Sequence, residues 1–215
     1  MPGIDISLGI LEKFIGIAKE IAKLPALVLP QYQNAAQDMY KICQKLLIAN
    51  ENLSRWLHRF IYFDFRHQSA RSEFLKSLQE YQTMKSGPEY QQLKFSCSDI
   101  GSIYSQQISS KIVDWFTNKQ KKEEVEGIFA SLTDADGAMV AFTYDNVIKK
   151  LDDFLATVEN HVNVSAFNDA EEERLKFRVE SKDITEAIGK FSGELSDLVI
   201  KFAQIARVPV TIGIP

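Results

Sequence analysis

From Tyr32 the apolar positions step by four and three without a break: Tyr32, Ala36, Met39, Cys43, Leu46, Asn50, Leu53, Leu57, Phe60. Side chains at that spacing line one face of a 3.6-residue helix, whereas a strand would need a period of two. A second row, Ile42, Ala49, Trp56, Phe63, recurs every seven residues. The helix is therefore apolar on more than one side and belongs inside a bundle. Asn50 interrupts the first row with an amide. Buried, it would fix helix register at some cost in stability; the alternative is a solvent-filled gap.

The same step returns in Val140, Tyr144, Val147, Leu151, Phe154, Val158, and again in Ile184, Ile188, Phe191, Leu195, Leu198, Phe202, Ile205. Between them, Leu93, Cys97, Ile100, Tyr104, Ile108, Ile112, Trp115 carries an extra four-residue step, a stutter that changes the local winding. Four helices of roughly 23 to 38 residues would run about 35 to 57 Å. Long striped helices pack best near antiparallel, at about 20°. The expected fold is all-α: an elongated up-and-down bundle of four long helices plus an N-terminal apolar helix and short helices, in one domain over 1–215.

Breaks in the pattern agree. "SGPE" at 86–89 ends a short helix over Ser69–Met84, and "TDADG" at 133–137 interrupts the run after Leu132. "NDAE" at 168–171 has the form of a capping box with Asn168 as N-cap and Glu171 three positions on. "VPVTIGIP" at 208–215 is an extended apolar tail, expected to dock on the bundle or to begin a linker.

The opening stretch GIDISLGILEKFIGIAKEIAKL, residues 3–24, is unusually apolar. On a wheel, Ile4, Leu8, Leu11, Ile15, Ala18 and Ala22 form one flank, and Ile10, Phe14, Ile17, Ile21 and Leu24 the next. Together they span roughly 200°, twice the stripe of an ordinary surface helix. Glu12, Lys13, Lys19, Glu20 and Lys23 fill the remaining strip with Gly9 and Gly16. Such a helix needs cover from the bundle itself, from a partner or second copy, or from lipid. Its strip is only weakly cationic, unlike most membrane-surface helices. The order and lengths of the elements resemble the layout of HeLo and four-helix-bundle killer domains. That resemblance implies a membrane-permeabilising helix released on activation; no residue motif carries it, and no family is assigned.

Composition narrows the function classes. Apolar residues are 45% and charged residues 25%, ordinary for a globular chain. Net charge is −4, and neither half has the basic excess of a nucleic-acid binder. No uncharged apolar run is long enough for a transmembrane helix. No signal peptide is evident, so the expected location is cytoplasmic. Cys43 and Cys97 sit in apolar rows as core thiols, without metal-like spacing.

The usual chemical motifs are missing. No E-x-x-H occurs, as a di-iron bundle requires; the nearest piece is the D-x-x-H of Asp64 and His67. Asp134, Asp136 and Gly137 mimic part of a calcium loop, but positions one and twelve would be Leu132 and Thr143. There is no phosphate-binding glycine loop and no nucleophile elbow. "GKFSG" at 189–193 has the small-residue spacing of close helix approach. "RWLHRFIYFDFRH" at 55–67 is the densest aromatic and basic stretch. Trp56, Phe60 and Phe63 belong to core rows, leaving Arg59, Tyr62, Phe65 and Arg66 as surface candidates of interface hot-spot type.

No convergent polar site emerges, and no cofactor is implied. The expectation is a non-enzymatic interaction or assembly module binding a protein partner or self-associating through apolar helix faces. Its candidate contacts are Leu8, Leu11, Phe14, Ile15, Ile17 and Ile21 on the first helix, with Arg59, Tyr62, Phe65 and Arg66. The alternative is a membrane-acting domain whose helix 4–24 inserts into lipid when released.

Overall fold

The computed structural model describes residues 2–23, 33–87, 119–131 and 144–210. Among them are seven helices and no strand: α1 (Pro2–Ile21), α2 (Gln33–Ile61), α3 (Ala70–Ser86), α4 (Lys119–Ser131), α5 (Tyr144–Asn163), α6 (Phe167–Glu180) and α7 (Lys182–Ala206). The fold is an all-α bundle. The row Leu93–Trp115, Cys97 and the "TDADG" turn lie outside the described residues, as does the end of the 208–215 tail.

The predicted rows become the buried faces. On α2 every member from Ala36 to Phe60 is buried, Asn50 included, and on α7 the row from Ile184 to Phe202 is buried. These two helices make the largest contact in the fold. They run antiparallel: the early part of α2, Ala35 to Leu47, shares a cluster with the late part of α7, Phe191 to Ala203. The late part, Leu53 to Ile61, joins Ile184 and Ile188 from the start of α7.

Among the described residues the core is thus two apolar clusters, with Asn50 between them. Its amide nitrogen donates to the Ile188 carbonyl and meets the Ser192 hydroxyl oxygen, each at 2.7 Å. The fully buried, bonded amide excludes the solvent-gap alternative. Sliding α2 along α7 by one turn would strand it in an apolar row, where an unpaired amide costs about 1–3 kcal/mol.

α1 fills the first cluster. Leu11, Phe14, Ile15, Ile17, Ala18 and Ile21 are at most 2% exposed, in a cluster shared with α2 and α7. The described part of the apolar arc is thus covered by the chain's own bundle, with α1 lying against α4, α5 and α7. Its charged strip is tied down as well: Glu12 pairs with Lys190 at 3.1 Å, Lys19 with Glu194 at 3.0 Å and Glu20 with Lys121 of α4 at 3.0 Å. Exposed pairs of this kind contribute only about 0–1 kcal/mol each, so the apolar face dominates the docking.

The second cluster holds α3, α5 and α6. Val147, Leu151, Phe154 and Val158 of the predicted row are buried. Phe154 stacks on Phe177 of α6 with ring centres 4.2 Å apart. α3 contributes Phe74 and Tyr81, while its Lys85 pairs with Asp152 of α5.

Two local expectations are corrected. The proposed capping box does not form, because α6 begins two residues early, with Ala166 at the cap and no side-chain cap bond. α5 ends in a Schellman-type turn: Ser165 takes φ 61°, and the Ala166 N–H donates to the His161 carbonyl at 2.8 Å. That turn delivers Phe167 directly into the helix, so Asn168 lands inside the first turn and Glu171 is turned to Arg174 instead. The 189–193 spacing marks no close approach either. A Cβ on Gly189 or Gly193 would meet nothing within 4 Å, and both face outward while Phe191 between them is buried.

Candidate interaction surface

The structure separates the predicted contact residues into core and surface. Leu11, Phe14, Ile15, Ile17 and Ile21 are core. Leu8 lies on α1 but outside the described side chains. Phe65 is a correction: it is 2% exposed, packed on Phe63 and Phe74 with ring centres 4.8 and 5.4 Å away. The chain leaves helical geometry after Ile61, so the helical wheel no longer predicts where Phe65 points; the turn folds it back onto α3.

Arg59 is on the surface but occupied. Its guanidinium pairs with Glu80 at 2.7 Å, donates to the Ser77 hydroxyl at 3.1 Å and lies over the Trp56 ring. Arg66 closes on Asp64, two residues away, at 2.9 Å, and its own N–H donates to the same carboxylate. Those bonds hold the Asp64 carboxyl down at about 2. His67 lies 3.4 Å from Glu73, so the D-x-x-H pair is divided between other partners.

Tyr62 alone among the candidates is a widely exposed aromatic, at 57%. It sits between two positions of different helices. His58, one turn back on α2, stacks on it at 5.5 Å, and the guanidinium of Arg178 on α6 lies 5.0 Å from its ring centre. α6 reaches this place through Arg174, which is buried: it binds Glu171 through two nitrogens, at 3.0 and 2.7 Å, and donates to the Ile61 carbonyl at 2.6 Å. The Glu171 carboxyl is held below its usual range, first by the Arg174 hydrogen bond.

The sequence reading missed the α6 half of this surface. Leu175 and Val179 stand exposed at 46% and 77%, one turn apart and beside Arg178. The signal was present: 175 and 179 fall opposite Ala170 and Phe177, which take the core face. A helix with apolar residues on both sides has no single stripe, so periodicity gave no warning.

On the other flank of α6 lies a cleft of about 240 Å³, floored by Phe154 and Phe177 and rimmed by Lys150, Asp153, Glu173 and Lys176. Its hydroxyls are engaged with their own helices, Thr157 donating to the Asp153 carbonyl at 3.0 Å and Ser181 to the Phe177 carbonyl at 2.6 Å. Neither is aimed at a base. Cys43 is fully buried in the first cluster, and desolvation pushes its thiol far above the usual range. No group of three or more His, Cys, Asp or Glu among the described residues is placed to hold a metal ion. No helix among them is long and apolar enough to cross a membrane.

No protein-family model, curated protein or solved structure matches this chain.

Proposed function

We propose that this chain is a non-enzymatic interaction module that binds a protein partner, or a second copy, through the outer face shared by α2 and α6. One observation carries the proposal: Tyr62, Leu175 and Val179 are exposed together around Arg178. Tyrosine and arginine are enriched among interface hot spots, and the exposed aliphatic side chains beside them are apolar surface that a partner would cover. The second cluster is complete without Leu175 and Val179, so folding does not explain them.

The burial of α1 weighs for this face and against lipid. Leu11, Phe14, Ile15, Ile17 and Ile21 each contribute about 1.5–3 kcal/mol by burial. Withdrawing the helix would forfeit about 8 to 15 kcal/mol, as much as the whole stability of a typical domain.

The test is hydroxyl-radical footprinting of the intact chain, dilute in buffer and dilute in cell extract. Protection of Tyr62, Leu175 and Val179 in extract, with the protection of Tyr62 lost in an L175E/V179E variant, is the expected result. Equal reactivity of these three residues in both conditions would refute the proposal.

A further inference from the structure

The last turns of α2 carry an outward stripe. Glu51, Arg55, His58 and Tyr62 fall within an arc of roughly 60° on the helix. From Tyr62 the stripe continues onto α6 through Arg178, 5.0 Å from the ring, and ends at the exposed Leu175 and Val179. Its two arginines differ from their neighbours. Arg59 is closed on Glu80, Arg66 on Asp64 and Arg174 on Glu171. Arg55 and Arg178 form no ion pair among the described residues. In a chain with 29 acidic and 25 basic side chains, two exposed arginines on one stripe, neither of them paired with a carboxylate among the described residues, are conspicuous.

We infer that this stripe docks an acidic, aliphatic-bearing segment of a protein partner, which rests on the interaction reading above and narrows it. Carboxylates of the segment reach Arg55 and Arg178 as charge-assisted, fork-shaped pairs, which arginine forms better than lysine. Its apolar side chains cover Tyr62, Leu175 and Val179, and desolvating the Arg178–Tyr62 stack strengthens it. A nucleic acid is the poorer occupant. Its backbone would need a longer row of cations than Arg55 and Arg178 provide. A basic segment would be repelled by those two arginines.

The test is selection of a random dodecapeptide library, displayed on phage, on the intact chain with counter-selection on an R55E/R178E variant. Both substitutions are on exposed positions, and an unchanged circular dichroism spectrum and unfolding midpoint verify the fold. Enriched peptides are expected to carry net negative charge with Leu, Ile or Phe. A synthetic copy should bind in fluorescence anisotropy with affinity about tenfold weaker for R55E/R178E, and more weakly as salt is raised. Enrichment of neutral or basic peptides overturns the acidic partner. So does tighter stripe-dependent binding of a single-stranded oligonucleotide, or a dimer in sedimentation velocity that R55E/R178E dissolves. Neutral or basic peptides still lost in an L175E/V179E variant would leave the interaction reading standing. No stripe-dependent peptide, together with no footprint in extract, would remove both.

Discussion

Replacing Phe14 by Ala tests whether α1 is an integral part of the core. The ring is wholly buried in the cluster that α1 shares with α2 and α7. Deleting such a ring forfeits its transfer free energy and leaves a cavity, together about 3–5 kcal/mol. The neighbours that could collapse into the gap, Ile17 and Leu11 among them, are themselves fully packed, which favours the upper half of that range. A companion change, Gly16→Ala, should act in the opposite direction. Gly16 faces solvent, and a Cβ there meets nothing within 4 Å, so only helix propensity changes. The expected gain is about 0.5–1 kcal/mol. Guanidinium unfolding followed by circular dichroism reads both, with the midpoint falling for F14A and rising for G16A at unchanged slope. If both variants unfold within about 0.5 kcal/mol of the parent, α1 is not docked in solution, and the energetic case against its release collapses.

Further outcomes follow from the polar groups. Asn50→Ala should lose about 2–4 kcal/mol, from the bonds to Ile188 and Ser192 and a small cavity, whereas Asn50→Leu should cost less because its side chain fills that cavity; equal losses in denaturant titrations would contradict this. Glu171→Gln should flatten the acid limb of stability. The folded carboxyl lies below its unfolded value, so its contribution is full above the unfolded pKa and is lost as pH falls through the folded one. Unfolding titrations of parent and variant across the acid range measure it. Ser165→Gly should gain about 0.5–1 kcal/mol by relieving a left-handed non-glycine residue, read from the thermal midpoint. In a Cys97→Ser variant, Cys43 should resist a thiol reagent until denaturant is added, because its thiolate cannot form in the buried site; prompt labelling of the native chain would show that the first cluster opens readily.

The 4-3 rows were enough to name the class, the faces of α2, α5 and α7, and the burial of Cys43. They work because a helix fixes the direction of each side chain relative to its own axis. The same logic fails where the axis ends. Phe65 looks free on an extended wheel and is buried because the chain turns after Ile61. Asn168 looks like a cap and is not one, because the left-handed Ser165 sets the start of α6. Asn50 was legible as an anomaly in a row, but its partners Ile188 and Ser192 lie 138 and 142 residues away.

By itself, then, the sequence determined which residues must leave water: the stripes of the long helices and the broad apolar face of 4–24. It could not say what would cover them. Only the tertiary structure decided that α1 is covered by the bundle of its own chain, and that Tyr62 and Arg178, 116 positions apart, share one exposed stripe with Leu175 and Val179. The hydrophobic effect is non-directional and specifies burial without a partner; the partner is chosen by packing and by the few polar bonds that hold the helices in register.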